Sequence, residues 1–390
     1  MKHIRLVAMG SVLVAAAPAK EASPPPPIAN YWMDVTTTSG MGAGMMGGGA
    51  RPSMSQIMGM MSGQSSVGHT LDLRLASRDK AAAPQADHLI PPGLQMGPSL
   101  PLIAREEPPH TPGMPANFQR PQGRMLVYWG CGEHVSAGQP TVIDFAKIAA
   151  GQMPPGLAAM AHVVPGPTGA PGFGRWPNDK DNRAVPAGGS LIGAHKVEAN
   201  YAPPIAFSLG AGQDFMPALG LTEAGALPSG ASRLTWQAVP SATGYALMMF
   251  GAAGNGDAIM WSSSSKASMP ALDYLAPAEV RRLIGAGAVL PPATTQCLLP
   301  AEVAAASPAG MVTMIGYGPE AGFAESPKAP KWTARVRYKT TASVMRGMGG
   351  MMNGGAMGAA ADDQQQPAQE PPKKKKKFGI GDLLNGAVPH

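Results

Sequence analysis

Alternation of apolar and polar residues recurs along the chain at a period of two. From His69 to Arg78, Leu71, Leu73 and Leu75 fall on one face, and Asp72 and Arg74 on the other. From Trp332 to Tyr338, Trp332, Ala334, Val336 and Tyr338 oppose Thr333, Arg335 and Arg337. Such a pattern predicts strands with one buried face. Tyr31 to Thr38 reads the same way, helped by the β-branched run Val35 to Thr38. Further strands are predicted at Arg124 to Gly130, Thr141 to Phe145, Ser190 to Ala199, Ile205 to Leu209, Ala258 to Ser262 and Met311 to Tyr317. Helical spacing is scarce. In Ala276 to Gly285, Val280, Leu283 and Ile284 share a face, Pro277 suits the first turn and Gly285 the C-terminal cap. A second short helix is predicted near Pro300. The fold class is therefore mainly β with short helical insertions.

Leu234 to Leu247 organises the second half. Leu234 and Trp236 alternate, Pro240 to Gly244 breaks the strand, and Tyr245 and Leu247 resume the alternation through Phe250. Leu-x-Trp, a short turn and Gly-Tyr-x-Leu resemble the B and C strands of fibronectin type III-like modules of secreted bacterial proteins. The resemblance covers about a tenth of the chain. It implies a β-sandwich with Trp236 and Tyr245 in its core, built for binding and spacing rather than chemistry. The helix at Pro277 to Ile284 departs from a plain module of that family.

Two Ig/fibronectin III-like sandwich domains are expected, at 31–204 and 205–343. The first carries a Gly/Met-rich insertion at 40–63. Residues 1–19 read as a secretory signal: Lys2 and Arg5, an apolar run from Leu6 to Ala17, then small residues at Ala17-Pro18-Ala19. Residues 20–30 form a Pro-rich linker and 344–390 a Gly/Met-rich and Lys-rich tail expected to be disordered. Thr37-Thr38-Ser39 before the first Met block echoes Thr340 to Ser343 before the second. Pro84 to Gln122 and Pro154 to Asn182 read mostly as loops, which places Trp176 in a loop. After signal removal no apolar run of membrane-spanning length remains.

Composition changes this picture little. Gly (50) and Pro (42) are abundant among 390 residues, yet 44% hydrophobic content argues against wholesale disorder. Charge is more telling. Lys373, Lys374, Lys375, Lys376, Lys377, Lys2 and Arg5 supply seven cations, so the net +6 becomes −1 without them. The folded part is not a basic nucleic-acid surface. The five-lysine run fits an anionic surface or a solvated tail.

Candidate chemistry is sparse. Cys131 and Cys297 are the only cysteines, and in an exported chain they are expected to pair. The alternative is Cys131 with His134 as a nucleophile and its base, or as part of a zinc site lacking further ligands. Met54, Met58, Met60 and Met61 offer thioethers suited to copper(I), or adaptable apolar filler. Asn178 to Asn182 is an acidic loop spoiled for calcium by Lys180 and Arg183. His162 and His195 read as structural. Phosphate-loop, Gly-x-Ser-x-Gly and His-Glu-x-x-His motifs are not present. The expected role is a non-enzymatic, structural or binding protein of the bacterial envelope, without cofactor. Periplasmic copper handling and an enzyme using Cys131 and His134 are the alternatives.

Overall fold

The alternating segments become strands, and the longest pair with each other. The structure, a computed structural model, describes residues 26–40, 67–104, 123–149, 173–269 and 272–347. In chain order the strands are β1 (Ala29–Gly40), β2 (Val67–Ser77), β3 (Ala86–Leu89), β4 (Ser99–Pro101), β5 (Ile103–Ala104), β6 (Arg124–Trp129), β7 (Thr141–Asp144), β8 (Gly174–Trp176) and β9 (Gly193–Ala199). They continue with β10 (Ile205–Leu209), β11 (Thr222–Ala226), β12 (Ser232–Thr235), β13 (Gly244–Ala252), β14 (Ala258–Ser262), β15 (Gln296–Leu299), β16 (Gly310–Ala324) and β17 (Trp332–Arg346). Helices α1 (Phe145–Ala149), α2 (Pro277–Gly285) and α3 (Ala301–Ala306) are short. The class is mainly β, as the alternation predicts.

Ten strands form one sheet, in the order β5-β8-β2-β1-β17-β16-β13-β14-β6-β7. β1 runs parallel to β17 and antiparallel to β2. The apolar rows explain this pairing. Tyr31, Met33 and Val35 of β1 lie beside Ala334, Val336 and Tyr338 of β17, and Leu71, Leu73 and Leu75 of β2 extend the same buried surface. The sheet therefore takes strands from both sides of residue 204, so the two expected halves share it. All described residues fall within one compact unit, Met1–Gly349.

Two smaller sheets, β10-β9-β3-β4 and β11-β12-β15, share its main core. β12 and β13, adjacent in sequence, belong to different sheets, and Trp236 meets Tyr245 across the gap with ring centroids 5.7 Å apart. A second core contains Ala246, Ile315 and Tyr317 with Leu275, Val280 and Val289. Successive residues of β13 thus serve different cores, which is the period of two made physical. Gly316 matters here: a Cβ would lie 3.2 Å from the Tyr245 ring and 3.0 Å from Thr340.

The face of β1 and β17 opposite their main apolar row carries charge. Asp34 is 1% exposed and sits between Arg74 and Arg337. Arg335 and Arg337 lie over the Trp32 ring, and Arg337 and Lys339 over Tyr274. Burial pushes the Asp34 carboxyl upward, against the pull of Arg337 and Arg74.

Residues 1–25, 41–66, 105–122, 150–172 and 348–390 lie outside the described residues, as do 270 and 271. With them go the predicted signal, Met54, Met58, Met60, Met61, His162 and the lysines 373–377. Among the described residues no helix is long and apolar enough to cross a membrane.

Candidate functional site

A cross-strand row on the inner face of the large sheet creates the site. His69 on β2 pairs with Thr37 on β1, and Thr37 pairs with Thr340 on β17. Thr37 and Thr340 are 1% and 0% exposed. Thr37 Oγ1, His69 Nδ1 and Thr340 Oγ1 are all buried without a hydrogen-bond partner in the protein. Each such orphan costs about 1–3 kcal/mol, and native cores rarely place three together. At the Thr37 and His69 end of this row opens a cleft of about 380 Å³, lined by Thr37, Val67, His69, Gly189, Asp214 and the 215–218 segment.

The cleft walls are two loops held by one carboxylate. Asp214 accepts hydrogen bonds from Ser190 Oγ at 2.6 Å and from the N–H groups of Leu191 at 2.9 Å and Phe215 at 2.8 Å. Tyr338 donates its hydroxyl to Gln213 O at 3.1 Å, which fixes the same loop from below. Met216 packs its sulfur against Gly318, where a Cβ would lie 2.5 Å from it. The His69 ring lies flat on Phe215, with centroids 3.9 Å apart and planes 2° from parallel. Burial lowers the His69 pKa, while a hydrogen bond with the Pro186 backbone and the charge of Asp214 oppose the shift. Proline has no N–H, so its carbonyl accepts from the ring. Nδ1 has no partner in the protein, and in the tautomer protonated on Nε2 it keeps a lone pair.

Behind the wall runs a buried chain of rings. Tyr31 Oη lies 2.8 Å from His88 Nδ1, His88 Nε2 lies 3.0 Å from His195 Nδ1, and His195 Nε2 lies 2.7 Å from Leu191 O. The terminal carbonyl only accepts, so His195 carries its proton on Nε2. Its Nδ1 then accepts from His88, and His88 Nδ1 accepts from Tyr31. Both imidazoles are neutral. Burial pushes both histidine pKa values down and that of Tyr31 up. His195 also stacks on Phe207. The chain ends on Leu191, whose N–H is held by Asp214.

The residues singled out by sequence are placed elsewhere. Cys131 and Cys297 form a disulfide with a Cα separation of 5.1 Å. This overturns Cys131 as a free nucleophile or zinc thiolate, because its sulfur is bonded to Cys297. His134 instead pairs with Glu302 at 2.9 Å on a largely exposed surface. Trp236 and Tyr245 are 5% and 0% exposed, and Tyr245 Oη accepts from Val239 N–H at 2.9 Å. Trp176, expected in a loop, is 1% exposed on β8. Three residues of strand are too few to show alternation, and their burial comes from packing against distant segments. Thr37, Asp214 and Phe215 were missed. The available signal was His69, the one inward position of an otherwise Leu-rich alternating row that is polar. Comparison with protein families, with curated proteins and with solved structures finds no match.

Proposed function

We propose that this chain is a non-enzymatic, exported binding protein of the bacterial envelope, and that the cleft at His69 and Thr37 is its site. The carrying observation is the row of orphaned polar atoms beneath an open cleft, within loops whose other polar groups are well bonded. A core bears that cost more readily where a ligand's own polar groups complete it. Ser190 is bonded to Asp214. Export is supported by the signal-like residues 1–19 and by the Cys131–Cys297 disulfide, which persists in oxidising compartments. The crossing of β12 to β13 between two sheets, with Trp236 on Tyr245, supports a fibronectin type III-like reading of that strand pair.

Copper handling through Met54, Met58, Met60 and Met61 is the second reading. One observation favours it: Met216 and His69, a thioether and an imidazole, line the same cleft. Elemental analysis of protein purified from the periplasm separates the two. The binding reading expects no stoichiometric copper and an intact mass beginning at Lys20. One copper per chain supports the second reading, and a retained Met1 in cytosolic material removes export.

A further inference from the structure

The chemistry of the cleft specifies what fits it. Its volume, about 380 Å³, is at the small end of ligand sites, which span about 300–1,000 Å³. Among the described residues, Asp214 is the only charged lining residue apart from the titratable His69, and no Lys or Arg lines the cleft. An anion entering would meet a carboxylate and, among the described residues, no cation. His69 Nδ1 offers a lone pair that needs a donor. Asp214 has accepted three hydrogen bonds of the roughly four a carboxylate can take, so it has room for one more. Thr37, which lines the cleft, can both donate and accept. Adjacent strands lie about 4.8 Å apart, so Thr37 and His69 present their polar groups about 5 Å apart. Phe215, Met216, Pro217, Ala218 and Val67 complete the walls with apolar surface.

We propose that the cleft takes a small uncharged polyhydroxy compound of monosaccharide size, donating a hydroxyl to His69 Nδ1 and exchanging hydrogen bonds with Thr37. The hydroxyls satisfy His69 Nδ1, Asp214 and Thr37, and the C–H edges of such a ring meet the apolar wall. A carboxylate- or phosphate-bearing analogue is repelled by Asp214. The low pKa of His69 keeps its lone pair available at neutral pH. This assignment rests on the binding reading above.

Calorimetric titration of the full disulfide-bonded chain with glucose, galactose and N-acetylglucosamine tests it, with glucuronate as the charged counterpart. At least one neutral sugar is expected to bind saturably, and glucuronate at least about tenfold more weakly. Thr37→Val should weaken sugar binding about tenfold, the loss of one to two hydrogen bonds, while its Tm stays level or rises. The valine removes a hydroxyl that has no partner in the free protein, so weaker binding with retained stability is a signature that a folding defect does not give. Three results overturn the assignment: no saturation by any of the three sugars, equal binding of glucuronate, or unchanged binding by Thr37→Val. A small molecule retained by the native protein despite failed sugar titrations removes the ligand class alone. A bare protein mass removes the binding reading as well.

Discussion

His195 donates its Nε2–H to the carbonyl of Leu191 at 2.7 Å, while Asp214 holds the N–H of the same residue at 2.9 Å. One residue, Leu191, therefore ties the buried ring chain to the wall of the cleft. Burial disfavours an added proton on either imidazole of that chain.

Stability should fall on mild acidification. An unfolded histidine takes its proton near pH 6.5, whereas burial holds the folded pKa of His88 and His195 lower, and that of His69 as well. Their contribution is complete above about pH 6.5 and is lost as pH falls through the folded values. The slope reaches about 1.4 kcal/mol per pH unit for each histidine. Urea melts at about pH 7.5 and pH 5 measure it. Equal unfolding free energies at the two pH values would contradict the neutral chain.

Trp236→Ala should cost about 3–5 kcal/mol, the usual effect of truncating a buried aromatic. Against a total of about 5–15 kcal/mol this unfolds or nearly unfolds the domain. Trp176→Ala should be comparably severe, since Trp176 is 1% exposed. Thermal melts of both variants decide. A mild Trp176→Ala with a severe Trp236→Ala would restore the loop placement suggested by its sequence surroundings.

Asp34→Ala should destabilise by about 3–5 kcal/mol, because it strands charges that the carboxylate compensates. Arg337 approaches Asp34 through two nitrogens at 2.7 and 2.6 Å, and Arg74 at 3.0 Å. The two guanidinium side chains are 13% and 19% exposed and have little water to fall back on. A loss below about 1 kcal/mol would place this network with ordinary surface pairs.

Thiol counting on denatured, unreduced protein should find no free thiol. Reduction opens a cross-link between residues 166 apart, worth on the order of 4–5 kcal/mol by chain entropy. Two reactive thiols in protein from an oxidising compartment would contradict the bond.

Where the sequence could be read and where it could not follows from periodicity. β1, β2 and β17 alternate over many residues, so their existence and buried faces were visible in Leu71, Leu73, Leu75 and Trp332 to Tyr338. Helix α2 was visible from Pro277, Val280 and Gly285. β3 and β8, with four and three residues, carry no periodic signal and were read as loops. The parallel pairing of β1 with β17 joins residues some three hundred apart, and no local pattern encodes it. The cleft was hidden for the same reason. His69, Thr37, Thr340 and Asp214 come from four separate segments, and only the register of β2, β1 and β17 sets the first three side by side.

Native mass spectrometry of the chain isolated from its own envelope tests the central claim most directly. The expected result is a small-molecule mass increment at one per chain, lost on denaturation and diminished in Thr37→Val at equal stability. A bare polypeptide mass for the folded wild type, or an increment that Thr37→Val retains in full, would contradict a binding role for the His69 cleft.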